Sequence, residues 1–134
     1  MLEFPHAVVA FLGWFVAGVG FSAAFVVIYT RLTPHREFDL IVGEHNTAAA
    51  VALGASLLGF VVPLARAMAQ SLSIVEFCAW GVVALAVQLG AYAVARLSHP
   101  GLSQAIAEGS LASALWLGFV SLAAGLLSAA AMTG

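Results

Sequence analysis

Charged residues are scarce in this chain of 134 residues. They make up 7% of it, whereas ordinary soluble domains carry about 25%. Four arginines, no lysine and six acidic residues leave a formal net charge of −2. So small a charge, with no basic patch that carries interleaved aromatics, argues against a nucleic-acid partner. Cys78 is the single cysteine, which excludes an intrachain disulfide and a cysteine-based metal framework.

Catalytic motifs are also absent from the sequence. It has no HExxH motif, no glycine-rich phosphate loop and no nucleophile with an evident paired base. Glu44 and His45 form the one acid–base pair, and adjacency in sequence does not aim two side chains at one substrate. We therefore expect no enzymatic activity and no cofactor.

Apolar residues, in contrast, make up 63% of the chain and are concentrated in four long runs. The runs cover residues 7–29, 47–67, 74–95 and 111–132. As a helix, each would span roughly 32–35 Å, which matches a hydrocarbon core of about 30 Å. Lipid requires that backbone polar groups be satisfied within each segment, which favours helix over strand. The sequence therefore predicts an all-α polytopic protein with four transmembrane helices, in one membrane domain over residues 1–134.

Helix-start signals support these limits. Ser73 and Glu76 match a capping box at the start of the third helix. Asn46 or Thr47 can cap the second helix. The second and third helices are predicted to be joined by a tight turn at 70–73.

The other two connections, 31–46 and 96–110, are long enough to hold a short interfacial helix each. Six apolar loop residues are expected to touch the bilayer surface, namely Phe38, Leu40, Ile41, Leu102, Ala105 and Ile106. Arg31, Arg36 and Arg96 lie beside these loops, whereas Arg66 lies towards the opposite face. The positive-inside rule then predicts cytoplasmic long loops and both termini outside.

The two halves of the chain, 1–70 and 71–134, resemble each other. A shift of 64 residues lays 44–69 over 108–133. Identities include Glu44/Glu108, Leu53/Leu117, Gly54/Gly118 and Met68/Met132. Each unit is a helix, a long loop and a helix, so both units would have the same orientation. This pattern predicts a parallel repeat about an axis along the membrane normal.

Five residues are candidate functional positions within or beside the apolar runs. They are Asn46, Pro63, Arg66, Gln88 and Ser128. Gln88 lies mid-helix, where it would either bond across helices or line a polar path. Arg66 would snorkel to the headgroups, pair with Glu76 or Glu3, or bind a lipid headgroup. Pro63 removes a helical hydrogen bond, which predicts a kink and a freed carbonyl near residue 59 that could serve an ion or a water.

Histidines and carboxylates in the loops have the chemistry of a divalent-metal site. They are His35, Glu37, Asp39, Glu44, His45, His99 and Glu108. Their spacing repeats no known ligand pattern, so a solvated loop is the preferred interpretation and no metal is predicted.

Small residues recur four positions apart, which allows close helix approach. The pairs are Gly18/Ser22, Ala50/Gly54, Ala55/Gly59, Ala86/Gly90, Ala114/Gly118, Ser121/Gly125 and Ala124/Ser128. Four helices cannot use all of these faces internally, so a homo-oligomer is expected. Trp14, Trp80, Trp116 and Tyr29 are expected to be anchors at the membrane interface.

Motifs along nearly the whole chain resemble the YjfL-like family, small four-helix bacterial inner-membrane proteins of unknown function. The first half carries Leu32-Thr33-Pro34-His35, Asp39-Leu40-Ile41, Asn46-Thr47-Ala48-Ala49 and Gly59-Phe60-Val61-Val62-Pro63-Leu64. The second half carries Phe77-Cys78-Ala79-Trp80-Gly81, Ala84-Leu85-Ala86-Val87-Gln88-Leu89, Pro100-Gly101-Leu102-Ser103 and Ala129-Ala130-Ala131-Met132-Thr133. Two family asparagines are replaced, by Ser110 at the second Asn-Thr-Ala-Ala position and by Ser128 before the last Ala-Ala pair.

The resemblance implies an inner-membrane location and an association with envelope-stress and membrane-remodelling proteins, with no established activity. The leading hypothesis is a non-enzymatic, homo-oligomeric module in envelope maintenance or stress. It would be embedded in membrane lipids, and its loop 31–46 would meet a cytoplasmic partner. An ion or small-solute channel is the alternative. A channel would need Ser56, Gln88, Ser121 and Ser128 on faces that converge on one axis in an oligomer.

Overall fold

The computed structural model describes residues 3–32 and 38–132, which form five α-helices and one π-helical turn. The α-helices are α1 (Glu3–Leu32), α2 (Thr47–Gln70), α3 (Ile74–Ser98), α4 (Leu102–Ala107) and α5 (Leu111–Ala131), and the π-helical turn covers Asp39–Gly43. Helices α1, α2, α3 and α5 are long and apolar enough to cross a membrane. The predicted all-α fold with four membrane-spanning helices is confirmed, and no strand occurs in the described ranges.

Three of the spanning helices extend a few residues beyond the predicted apolar runs. At its C-terminal end, α1 includes Arg31, α2 reaches Gln70 and α3 includes Arg96. These residues are polar, and the helical hydrogen-bond ladder continues through them past the end of each apolar run. Apolar runs therefore mark the hydrocarbon thickness better than they mark the helix ends.

Side-chain caps fix the starts of α2 and α3. The Asn46 side chain accepts a hydrogen bond from the Ala49 N–H at 3.0 Å, so Asn46 is the N-cap of α2. Ser73 Oγ accepts from the Glu76 N–H at 3.2 Å. The Glu76 carboxylate accepts from the Leu72 N–H at 3.1 Å, one residue further back than a standard capping box requires.

The residues that lead into α2 and α5 have matching backbone conformations. Glu44 and Glu108 end their short helices with ψ of 0° and 1°. His45 and Gly109 follow with positive φ, 53° and 91°. Asn46 and Ser110 are then extended N-caps, each with ψ of 104°. These pairs are related by the 64-residue shift, which favours the predicted duplication.

Helix α2 lies at the centre of the bundle and packs most extensively against α5. Its buried side chains include Phe60 and Leu64, at 0% and 3% exposure. Helix α1 is peripheral, because it buries only Gly18, Phe25 and Tyr29. The exposed surface of the bundle is dominated by large apolar side chains, so it is suited to lipid.

The expectation that the loop residues touch the bilayer is wrong for three of them. Leu40, Leu102 and Ile106 are 9%, 1% and 0% exposed, because the short loop helices fold back against the ends of the bundle. Phe38, in contrast, is 54% exposed. Tyr29 is also buried within the bundle, where its ring lies against Phe25, so it does not face the membrane interface as expected.

Candidate functional site

The candidate site is built around the backbone carbonyl of Gly59, which lacks its usual helical donor. Helix α2 continues through Pro63, which has no N–H to donate to the carbonyl four residues earlier. Gln88 of α3 replaces that donor, with Nε2 to Gly59 O at 2.9 Å. The same nitrogen donates to the Ser121 carbonyl of α5 at 3.1 Å. One side-chain amide therefore joins α2, α3 and α5, and the carbonyl freed by Pro63 is taken by Gln88.

Glycines let α2 and α5 approach each other at this point. A Cβ added to Gly59 would lie 2.5 Å from the Ser121 carbonyl oxygen. A Cβ added to Gly125 would overlap the Gly59 carbonyl. One turn before Gly59, Ala55 has its Cβ 2.7 Å from the position of a Cβ added to Gly118. The Ala55/Gly59 pair of α2 and the Ser121/Gly125 pair of α5 are therefore used inside the protomer.

Two serine hydroxyls lie beside the glutamine. Ser56 and Ser121 are each 2% exposed, and their Oγ atoms are 3.5 Å apart. We call Ser56, Gln88, Ser121 and the Gly59 carbonyl the core polar cluster. It lies inside the bundle, flanked by the buried apolar side chains of the same helices.

The nitrogen and the oxygen of the Gln88 side-chain amide differ in their hydrogen bonding. Nε2 makes two hydrogen bonds, whereas Oε1 is buried and has no hydrogen-bond partner in the described ranges. Reversing the amide would place its oxygen against two carbonyl oxygens, so the orientation is fixed by these two acceptors. Gln88 is only 2% exposed, so a neighbouring protomer cannot reach this atom without a rearrangement.

The burial of the core polar cluster decides whether its side chains can line a channel between protomers. Ser56, Gln88 and Ser121 face the interior of one protomer, so they are unavailable to line an axis between protomers. Ser128 is half-buried, and its hydroxyl donates to the Gly125 carbonyl of its own helix at 3.1 Å. The four side chains do not form one outward face.

A second polar region joins the two long loops. Asn46 Nδ2 donates to the Ile106 and Ala107 carbonyls at the end of α4, at 3.2 and 3.0 Å. A cavity of about 600 Å³ opens beside it, lined by Glu44, His45, Asn46, Thr47, Ala48, Ala107, Glu108, Gly109 and Leu111. Among the described residues no group of three or more His, Cys, Asp and Glu could hold a metal. His35 and Glu37 of the imagined metal cluster lie outside the described residues.

The chain is similar to a known protein family over nearly its whole length. The family model described as Domain of Unknown Function (DUF350) matches residues 3–132. The chain belongs to the DUF350 family. It is 40% identical over 127 residues to UPF0719 inner membrane protein YjfL of Escherichia coli (strain K12), covering 95% of this chain and 96% of that protein. The same figures hold for the protein of that name from Escherichia coli O157:H7. No solved structure matches.

The predicted resemblance to the YjfL-like family is therefore confirmed. This DUF350 protein is a multi-pass protein of the bacterial inner membrane. The family description assigns no biochemical activity, so the comparisons identify no catalytic or ligand-binding residue.

Ser110 belongs to a third polar group. Its Oγ accepts from the Ser113 N–H at 3.3 Å and donates to Ser113 Oγ at 3.0 Å. His99 Nε2 lies 2.8 Å from the same Ser113 oxygen. Sequence reasoning missed this pairing because it joins the end of α3 to the first turn of α5. The contact between His99 and Ser113 connects the two helix ends, and Ser113 is only 6% exposed there.

Arg66 is exposed near the end of α2. It forms no hydrogen bond or ion pair with the described part of the chain, so no pairing with Glu3 or Glu76 is seen. Its position leaves snorkelling or contact with a lipid headgroup as the interpretations that agree with the structure.

Proposed function

We propose that this protein is a non-enzymatic, homo-oligomeric module of the inner membrane that acts in envelope maintenance or stress. One observation carries the proposal: the core polar cluster is enclosed within the protomer, while the outward helix faces are apolar. A scaffold that assembles in lipid needs such outer faces. A pore between protomers needs polar ones.

One face of α3 is suited to a second copy of the chain. Ala86 and Gly90 are exposed, and a Cβ added to Gly90 would meet nothing within 4 Å. Val82 and Val94, at 60% and 58% exposure, flank this small-residue pair. Helices associate in membranes through small residues that permit close backbone approach. The Ala55/Gly59 pair of α2 and the Ser121/Gly125 pair of α5 are used internally, whereas the α3 pair faces outward and so supports self-association.

The proposal includes an orientation and a partner. The positive-inside rule favours cytoplasmic loops 31–46 and 96–110, with both termini in the periplasm, since Arg31, Arg36 and Arg96 flank the loops. The first loop would then be available to a cytoplasmic partner.

Two parallel repeats of one ancestral unit are also proposed, supported by the matched conformations before α2 and α5.

Cysteine cross-linking tests the oligomer and its face. Cys78→Ala gives a cysteine-free background, to which Gly90→Cys is added on α3 and, as the matched control, Gly20→Cys on α1. Gly20 is also exposed, with nothing within 4 Å of an added Cβ. Oxidation in native membranes should give a disulfide-linked dimer with Gly90→Cys and much less with Gly20→Cys.

Equal cross-linking at the two positions would contradict the α3 face. A monomer seen by native mass spectrometry from lipid nanodiscs would contradict the oligomer itself.

Substitution of the exposed loop residue Phe38, followed by pull-down from cells, tests the partner. Unchanged recovery of every co-purifying protein would count against that part of the proposal.

The channel alternative has one feature in its favour, the unpaired Gln88 Oε1 in the core of the bundle. Purified protein in liposomes should show no flux of common ions or small solutes if the scaffold proposal is correct. Flux that is lost on Gln88→Met would replace the scaffold by a channel through the protomer.

A further inference from the structure

We infer that the core polar cluster binds one water molecule, which donates a hydrogen bond to Gln88 Oε1. This inference goes beyond the scaffold proposal and does not depend on self-association, because the cluster is complete within one protomer. It identifies a binding site for a small neutral donor in the membrane-embedded core.

The hydrogen-bond inventory of the Gln88 amide leads to this conclusion. The NH2 group is fully used by the Gly59 and Ser121 carbonyls. The oxygen offers two lone pairs, is buried, and meets no donor in the described part of the chain. A buried polar atom without a partner is costly in a medium of low dielectric constant, and ordered water commonly satisfies such atoms.

The serine hydroxyls provide the second contact that a buried water needs. Ser56 Oγ and Ser121 Oγ are 3.5 Å apart, at the outer limit of a hydrogen bond. A hydroxyl pair at that distance retains donor and acceptor capacity for a closer partner. Ser121 also supplies a carbonyl that Gln88 contacts, so its hydroxyl lies in the same cluster. In the inferred arrangement the water donates to Gln88 Oε1 and accepts from one of these serine hydroxyls.

The charge of the surroundings favours a neutral ligand over a cation. The acidic residues on the spanning helices, Glu3 and Glu76, are both in the first turn of their helices. No carboxylate therefore compensates a cation at the depth of Gln88, and an uncompensated ion is expensive at low dielectric constant. A single water satisfies Oε1 without that penalty.

Selective isotope labelling makes the water directly observable. The chain has three glutamines, Gln70, Gln88 and Gln104, so 15N-glutamine gives three side-chain amide signals. The Gln70→Met and Gln104→Met variants assign them. In the full-length protein in lipid bilayers, solid-state NMR then measures magnetisation transfer from water to each amide.

We expect transfer to the Gln88 side-chain amide to be several-fold stronger than transfer to the Gln88 backbone amide, which lies within α3. Exposed Gln104 is the positive control. Ser56→Ala should reduce the Gln88 transfer, whereas Ser128→Ala, which removes a hydroxyl bonded within its own helix, should not. Side-chain transfer no stronger than backbone transfer, with Gln104 responding normally, would overturn the inference whatever the serine variants do.

Discussion

The hydrogen bond from Gln88 to the Gly59 carbonyl should depend energetically on Pro63. Gln88→Met keeps the length of the side chain and removes its amide, so Gly59 O loses the donor that replaces the missing Pro63 N–H. Pro63→Ala restores a backbone N–H four residues after Gly59. In that background the carbonyl can be satisfied within α2, and the amide becomes less important.

The expected magnitude follows from which carbonyl is left without a donor. Ser121 O remains bonded to the Gly125 N–H within α5, so its loss of Gln88 matters little. Gly59 O becomes a buried acceptor without a donor, which costs about 1–3 kcal/mol. Releasing the water inferred at Oε1 offsets part of this cost, because an ordered water is immobilised. We expect Gln88→Met alone to lower the free energy of unfolding by about 1–2 kcal/mol, and by about 1 kcal/mol less when Pro63→Ala is present.

A double-mutant cycle measures this coupling. Unfolding by SDS in mixed micelles can be followed by the fluorescence of the three tryptophans. Gln104→Met with Pro63→Ala is the control pair, because Gln104 is exposed on α4 and donates only to the Glu108 carboxylate. The control effects should add. Additive effects of Gln88→Met and Pro63→Ala, within about 0.3–0.5 kcal/mol, would refute the idea that Gln88 replaces the missing proline donor.

Two further predictions concern helix packing and loop anchoring. Gly125→Ala should lower the free energy of unfolding by about 1–3 kcal/mol because the new Cβ meets the Gly59 backbone, whereas Gly54→Ala, with open space around it, should be neutral or slightly stabilising in the same SDS titration. Asn46→Ala removes the α2 cap and both bonds to the end of α4, and should cost about 1–3 kcal/mol. Asn46→Ser keeps a cap and should cost less, and equal losses for the two variants would show that the bonds between the loops are unimportant.

Several features of the bundle could be predicted from local sequence. The number of spanning helices follows from run length, since hydrocarbon thickness sets the number of apolar residues needed. The caps at Asn46 and Ser73 follow from side chains that satisfy the free N–H groups of a helix start. Pro63 leaves the Gly59 carbonyl without its helical donor because proline has no backbone N–H, as expected.

The burial of the loop residues could not be predicted in the same way. Leu40, Leu102 and Ile106 have the composition of a bilayer-facing surface, and a buried site accepts the same side chains. Hydropathy does not distinguish lipid from protein interior, because both are apolar. The same ambiguity explains Tyr29, which packs against Phe25 inside the bundle.

By itself, the sequence determined that the chain spans a membrane four times as helices, because lipid leaves the backbone polar groups of a long apolar segment no other partners. Only the tertiary structure decided which donor reaches the Gly59 carbonyl and which serines accompany it. Gln88 and Ser121 are distant from Gly59 along the chain, and they meet it because Gly59 and Gly125 let the backbones of α2 and α5 touch. Such contacts depend on how helices pack against each other, which local composition does not specify.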